Sequence, residues 1–160
     1  MSTHFSKPLK KNSEAASLIT IVASQYNGHL VDAMLEQAQK EILAIQPKTV
    51  VEVVRVPGAF EIPLFVKLVA ERRRPDAIIA LGVLLQGETA HANLVATSVS
   101  KALQDIAIEY STPVVHQVLL LNNEEQAIAR CMTDTLNRGV EAARVAVAVV
   151  HAARDIQPRN

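Results

Sequence analysis

The sequence predicts a fold of the α/β class, a three-layer sandwich in which helices cover both faces of a four-stranded parallel sheet. Four short β-type runs alternate with helical stretches along the chain, which is the pattern of such a sheet. The interior must be built from Val, Ile, Leu and Ala, since the chain has only three Phe, two Tyr and no Trp. Its 160 residues suit a single domain.

The first half of the chain contains two predicted strands, each followed by a helix. Residues 17–23 form an almost continuous apolar run, which indicates a strand buried on both faces. The next helix carries one apolar stripe, formed by Val31, Met34, Leu35, Ala38 and Ile42. The second strand, residues 49–56, ends at Pro57 and Gly58, and a helix follows from about Glu61.

Two more strands are predicted in the second half, at residues 76–82 and 114–121. A long helix with one apolar stripe separates them, from about residue 91 to residue 110. After the last strand, Asn122 is followed three residues later by Glu125. This pair predicts an N-cap with its capping-box partner, so a short helix is expected to begin there.

The last predicted helix, residues 136–153, is apolar on nearly every side from Val140 onwards. Only Glu141, Arg144 and His151 interrupt the apolar run. A single stripe against a sheet cannot bury such a helix, so a second burial surface, formed by another subunit, is expected. The alternative is that the helix only enlarges the core of its own chain.

Bulk properties exclude several classes of protein. The formal net charge is zero, so no overall field would draw the chain to nucleic acid or to a membrane surface. No apolar run approaches the roughly 20 residues that span a bilayer, and the chain does not open on an apolar signal core. The only cysteine is Cys131, and the histidines are scattered, so neither a disulfide nor a metal site is predicted. We predict a cytoplasmic protein.

The chain is predicted to consist of an arm and one domain. Residues 1–16 are polar and contain Lys7, Lys10 and Lys11, which favours a flexible arm. A nucleic-acid-binding tail is the alternative, but the segment lacks the aromatic residues and the length that would support it. Residues 17–156 contain no repeat, low-complexity tract or linker, so they are expected to form a single domain.

In an open parallel sheet, ligands bind beyond the carboxyl ends of the strands, so the loops after the strands are the candidate site. The third loop contains Gln86, Gly87, Glu88 and Thr89, and a helix begins near His91. Glycine lets a phosphate approach backbone N–H groups, the helix start adds donors, and Thr89 supplies a hydroxyl. The loop therefore predicts a phosphate cradle, although it matches neither a Walker loop nor a dinucleotide fingerprint.

His91, next to the predicted cradle, is the best candidate for proton transfer near neutral pH. On the residues alone, however, a lone histidine at a helix start is more often a polar surface residue than a catalytic one. Taken alone, Tyr26 in the first loop is in the same way more often a half-buried anchor than a ligand platform. Arg130 and Arg138, taken singly, are expected to be solvated surface charges.

Four segments together resemble one known family: VPGAFEIP at residues 56–63, ALGVLLQGETAH at 80–91, EEQAIAR at 124–130 and NRGVEAA at 137–143. In this order and spacing they are similar to lumazine synthase, the riboflavin-pathway transferase, and the resemblance covers residues 18–156. It implies a flavodoxin-like fold and the condensation of 5-amino-6-ribitylaminouracil with 3,4-dihydroxy-2-butanone 4-phosphate. Phosphate and water are released, and neither a metal nor an organic cofactor takes part.

The resemblance also implies roles for individual residues. His91 matches the proton-transfer residue of the family. One group is expected to contact the pyrimidine and the ribityl chain: Tyr26, Ala59, Phe60, Glu61, Val83, Leu84, Leu85, His116 and Arg138. A second group is expected to bind phosphate, its arginine reaching in from a neighbouring subunit: Gly87, Glu88, Thr89 and Arg130.

The chain departs from the family pattern at several positions. Gln86 stands where the family usually has Arg, His116 where it usually has an aromatic residue, and Arg138 where most members have Lys. Residues 131–136 replace a turn that contains Gly and Lys and that sets how pentamers assemble. The resemblance implies a homo-oligomer, a pentamer or a multiple of pentamers, with sites at subunit interfaces and riboflavin synthase as a further partner.

Three functions are compatible with these residues: the enzyme, a riboflavin- or lumazine-binding protein that has lost catalysis, and an assembly protein with vestigial sites. His91 and Arg130 favour the enzyme, since a flavin-binding protein needs neither a proton shuttle nor a phosphate site. The substitutions at Gln86 and His116 leave the non-catalytic binding protein as an alternative. The apolar last helix supports assembly but does not argue against catalysis.

Overall fold

The structure, a computed structural model, describes residues 16–156. The arm predicted for residues 1–16 therefore lies outside the described residues except for its last position. In the described part, strands and helices follow one another as β1 (Leu18–Ser24), α1 (Gly28–Ile45), β2 (Val50–Val56), α2 (Ile62–Arg73), β3 (Ala77–Leu85), α3 (His91–Tyr110), β4 (Val114–Leu121), α4 (Glu124–Cys131) and α5 (Arg138–Ile156). A 3₁₀ turn, Ala59–Glu61, precedes α2.

The four strands form one sheet in the order β2-β1-β3-β4, and every neighbouring pair is parallel. One apolar cluster joins α1, α4 and α5 to one face of this sheet, and a second joins α2 and α3 to the other. The predicted three-layer, flavodoxin-like α/β fold is thus confirmed. Since α1 and α3 leave adjacent strands towards opposite faces, a crevice opens between the carboxyl ends of β1 and β3.

The third strand is longer than predicted. Residues 83–85 continue β3 beyond Gly82 because they pair with residues 119–121 of β4. The backbone N–H of Gln86 then donates to the Leu121 carbonyl at 2.8 Å. Gly82 sits within a crowded strand and not in a loop, since a Cβ there would lie 3.1 Å from Ile62. The predicted loop therefore begins at Gln86, which brings Leu84 and Leu85 to the rim of the crevice.

The predicted N-cap of α4 is off by one residue. The side chain of Asn123, not Asn122, caps the helix, and its Oδ1 accepts from the Gln126 backbone N–H at 2.9 Å. Gln126 Oε1 in turn accepts from the Asn122 backbone N–H at 3.0 Å. The two adjacent asparagines offer the same cap chemistry, and Gln126 rather than Glu125 completes the reciprocal pair.

The last helix begins at Arg138, two residues later than predicted. The Asn137 side chain accepts from the Gly139 backbone N–H and donates to the Cys131 carbonyl, which fixes this start. Helix α5 packs against α1 and the sheet. This contact buries much of the apolar surface of α5 within one chain: Ala142, Ala143, Ala146, Val147 and Val150. The apolar residues of α5 that stay partly or fully exposed are Val140, Val145, Ala148, Val149, Ala152, Ala153 and Ile156.

None of the helices that the structure describes combines the length and the apolarity that a membrane crossing requires. The thiol of Cys131 lies in the core between α1, α4 and the sheet and is fully buried. Burial raises the pKa of this thiol to about 11.

We expect Cys131 to be unreactive in the folded protein, because the thiolate is the reactive form and both burial and the raised pKa suppress it. Titration with Ellman's reagent at mildly alkaline pH should release almost no chromophore from native protein. The same protein unfolded in guanidinium chloride should release one equivalent at once. Rapid labelling of the native chain would contradict the packing described for α4.

Candidate active site

A cavity of about 360 Å³ opens beside the crevice between β1 and β3. Three segments line it: the loop after β1, the 3₁₀ turn after β2, and the junction of β3 with α3. The lining residues are Tyr26, Asn27, Gly58, Ala59, Phe60, Glu61, Leu84, Leu85, His91, Ala92 and Val95. The fold therefore gathers seven of the predicted site residues, from segments far apart in sequence, at one cavity.

The loop after β1 is fixed by backbone and side-chain hydrogen bonds. Asn27 adopts a left-handed conformation, with φ 54° and ψ 40°, which asparagine tolerates better than most residues. Its side-chain Nδ2 donates to the Val83 carbonyl at 2.8 Å, and the Tyr26 N–H donates to the Pro57 carbonyl at 3.0 Å. These contacts tie the first loop to both β3 and the second loop, so the three lining segments form one framework.

Two aromatic rings stand open at the cavity. Tyr26 is 71% exposed and Phe60 is 63% exposed, although rings of this size usually contribute to a core. Neither ring packs into the interior of the described chain. Large exposed apolar groups beside a cavity are typical of a surface that binds another molecule.

Glu61 folds back over Gly58 in the turn that carries Phe60. A Cβ at this position would lie 3.0 Å from the Glu61 carboxylate, so the absence of a side chain lets Glu61 sit over its own turn. Glu61 also lines the cavity. The segment thus presents one aromatic ring and one carboxylate side by side.

The predicted phosphate loop lies next to the start of α3 and is open to solvent. Gly87, Glu88 and Thr89 are exposed, and a Cβ added at Gly87 would meet no atom within 4 Å. Gln86 Oε1 accepts a hydrogen bond from Asn93 Nδ2 at 2.9 Å. This bond links the loop to the first turn of α3, where His91 begins the helix.

The other predicted residues lie elsewhere on the chain. His116 and Arg138 line a cavity of about 450 Å³ beside the edge strand β4, and Arg130 lines one of about 410 Å³ beyond the end of that strand. The side chain of Val83 is buried in the core. Within one chain, these residues do not line the cavity that contains His91.

The two arginines differ in their surroundings. Arg138 pairs with Glu141 in the first turn of α5. Arg130 lies in the last turn of α4, and its Nη1 is buried without a hydrogen-bond partner among the described residues. A buried guanidinium N–H without an acceptor destabilises the folded chain. Arg130 is therefore a candidate donor to an anionic or carbonyl oxygen that the single described chain does not supply.

Sequence reasoning missed Asn27 and Asn93, which organise the loops. Asn27 stands before Gly28 at the start of a helix, and this turn-forming pair is a local signal that could have identified it. Asn93 gives no such signal, because its partner becomes apparent only when the loop folds over α3. Among residues 16–156, no three side chains of metal-binding type lie together.

The fold and the cavity define an α/β protein whose small-molecule site lies at the carboxyl edge of a parallel sheet. The model of the family described as 6,7-dimethyl-8-ribityllumazine synthase matches residues 17–154, and the chain belongs to this family.

Curated relatives agree with this assignment. Two proteins with the name 6,7-dimethyl-8-ribityllumazine synthase, from two strains of Coxiella burnetii, are 33% and 34% identical to this chain over 145 and 146 residues. Each alignment covers 90% of this chain and 96% of the relative. The similarity therefore extends over nearly the whole length of both proteins and is not limited to the loops.

Proposed function

We propose that this protein is a 6,7-dimethyl-8-ribityllumazine synthase of riboflavin biosynthesis. It condenses 5-amino-6-ribitylaminouracil with 3,4-dihydroxy-2-butanone 4-phosphate and releases phosphate and water. The observation that carries the proposal is the meeting of Tyr26, Phe60, Glu61 and His91 at one cavity, in a chain that matches the family over residues 17–154.

The pyrimidine substrate is assigned to the aromatic end of the cavity. The open rings of Tyr26 and Phe60 provide stacking surfaces, and Leu84 and Leu85 provide an apolar wall. The Glu61 carboxylate accepts hydrogen bonds from ribityl hydroxyls. This division places the reacting amine of the pyrimidine towards His91.

The phosphate of the second substrate is assigned to the loop of Gly87, Glu88 and Thr89. Here the loop contributes backbone N–H groups and the Thr89 hydroxyl, with donors from the start of α3 behind them. The positive charge comes from Arg130 of a neighbouring subunit. Two observations support this role: the unpartnered Nη1 of Arg130, and the separation of its cavity from that of His91 in one chain.

The reaction needs little more than alignment and proton transfer. The primary amine of the pyrimidine attacks the ketone carbonyl, and loss of water gives an imine. Elimination then releases inorganic phosphate, and the ribitylamino nitrogen closes the ring on the remaining carbonyl with loss of a second water, which forms the lumazine. His91 takes and returns protons in these steps. Much of the acceleration comes from holding a nucleophilic amine and an electrophilic ketone in register. Such positioning can lower the activation free energy by several kcal/mol.

The proposal includes a homo-oligomer, a pentamer or a multiple of pentamers, located in the cytoplasm. Exposed apolar side chains on α3, on α4 and directly after α4 support assembly: Leu94, Ile108, Ile128 and Met132. Riboflavin synthase is the proposed partner that takes the product. Residues 17–156 act as the single catalytic domain in this scheme, and residues 1–16 as an arm.

The test is to mix the two substrates with purified protein and to follow the lumazine chromophore. We expect product in the presence of protein at a rate well above that of the substrates alone. The Phe60→Ala variant should raise the KM for the pyrimidine, because it removes one stacking ring. A wild-type protein that binds riboflavin tightly but forms no product would instead support the non-catalytic binding protein.

A further inference from the structure

Both ring nitrogens of His116 are engaged in hydrogen bonds. Nδ1 accepts from the Val118 backbone N–H at 3.3 Å, and Nε2 lies 2.7 Å from Ser100 Oγ. The single hydroxyl proton of Ser100 is donated to the Ala96 carbonyl at 2.8 Å. Ser100 must therefore accept from Nε2–H. The neutral tautomer with its proton on Nε2 is the form that satisfies all of these contacts.

The helix that faces the ring favours this neutral form. One turn to either side of Ser100, α3 carries side chains that do not titrate: Ala96, Thr97, Leu103 and Gln104. The next charges along α3, Lys101 and Asp105, are exposed and pair with each other at 2.5 Å. Because Lys101 and Asp105 pair with each other, the Asp105 carboxylate does not serve as a partner for a protonated His116.

Within residues 16–156, the strands and α5 add no unpaired charge beside the ring. On β3, Ala80 stands opposite His116 in the sheet. Arg138 and Glu141 of α5 line the same cavity as His116 but pair with each other. Partial desolvation lowers the pKa of His116 from its ordinary value of 6.5, in keeping with these surroundings.

We propose that Ser100 is a positioning residue that holds His116 as a neutral ring, so that the ring face of His116 from a neighbouring subunit, rather than a nitrogen, meets the pyrimidine of the substrate. This rests on the proposed function, in which His116 replaces an aromatic residue of the family. With both nitrogens occupied, His116 has no free atom for proton transfer, and stacking is what it can offer. The acid-base role then stays with His91.

The kinetic test compares Ser100→Ala with a matched control. Ser100→Ala should raise the KM for 5-amino-6-ribitylaminouracil by roughly three- to tenfold, the range that one aromatic contact is worth, with a smaller change in kcat. Ser100→Thr keeps the hydroxyl, so its KM for the pyrimidine should stay close to that of the wild type. Ser98→Ala is the control, since Ser98 is exposed on the same helix and makes no side-chain hydrogen bond in the described chain.

A double-mutant cycle separates positioning of His116 from a general effect on α3. In a His116→Phe background the ring makes no hydrogen bond, so Ser100→Ala should cause no further rise in KM. An equal rise in both backgrounds would overturn the proposal. So would an unchanged KM for Ser100→Ala in an enzyme that makes lumazine.

Nitrogen NMR of the imidazole tests the ring state without any activity. The full-length wild type should show His116 protonated at Nε2 and unprotonated at Nδ1 at neutral pH. A proton on Nδ1, or a charged ring at that pH, would overturn the proposal even in an active enzyme. A wild type that forms no lumazine would refute the proposed function, while the NMR result would still decide the state of His116.

Discussion

Replacing Gly139 with alanine should destabilise the protein by about 3 kcal/mol or prevent its folding. Gly139 lies where α5 crosses α1, and a Cβ there would overlap the backbone of Met34, 2.7 Å from its carbonyl carbon and 2.8 Å from its Cα. Backbone atoms in the middle of a helix cannot move aside as the end of a side chain can. The two helices would have to separate, which would open the core that they share.

The measurement for Gly139→Ala is chemical denaturation at a fixed protein concentration, since assembly also contributes to stability. Gly28→Ala is the matched control. Gly28 begins α1, and a Cβ there would meet only the Asp32 carboxylate, at 3.9 Å. This control should be as stable as wild type or slightly more so. Equal stability of the two variants would contradict the close helix crossing.

Replacing His91 with alanine should lower kcat by roughly 10²-fold and leave the KM values nearly unchanged. The variant loses the proton shuttle but keeps the groups that hold both substrates, so a measurable rate should remain. Steady-state assays of lumazine formation check this result. An undetectable rate with intact substrate binding would show that His91 does more than move protons.

His29→Ala is the matched control for His91→Ala. Both histidines are exposed and lie in the first turn of a helix at the carboxyl edge of the sheet, but His29 does not line the cavity. The control should keep the wild-type kcat. A similar fall in both variants would mean that the effect comes from the helix starts and not from chemistry at His91.

The fold followed from the sequence where the physical signal is local. The continuous apolar run of β1 predicts a strand buried on both faces, and β1 lies at the centre of the sheet. Boundaries were less accurate where two neighbours offer the same chemistry, as at Asn122 and Asn123. The extension of β3 to Leu85 depends on pairing with β4, and the local sequence does not specify that pairing.

Part of the site was predictable for the same reason. A parallel sheet directs the loops after its strands to one edge, so Tyr26, Glu61 and His91 could be expected to lie together. Local sequence does not show which side chains remain without partners once the chain is folded. The unpartnered Nη1 of Arg130 and the engaged ring of His116 became apparent only in three dimensions.

The central claim is that His91 of one subunit and Arg130 of its neighbour form one site. It is tested most directly by co-expressing His91→Ala and Arg130→Ala chains with different tags and assaying the purified mixed oligomer. Random assembly should restore about a quarter of the wild-type sites, because that share of interfaces combines an intact His91 with an intact Arg130. If the activity of the mixed oligomer never exceeds that of the two parent variants, the shared site is contradicted.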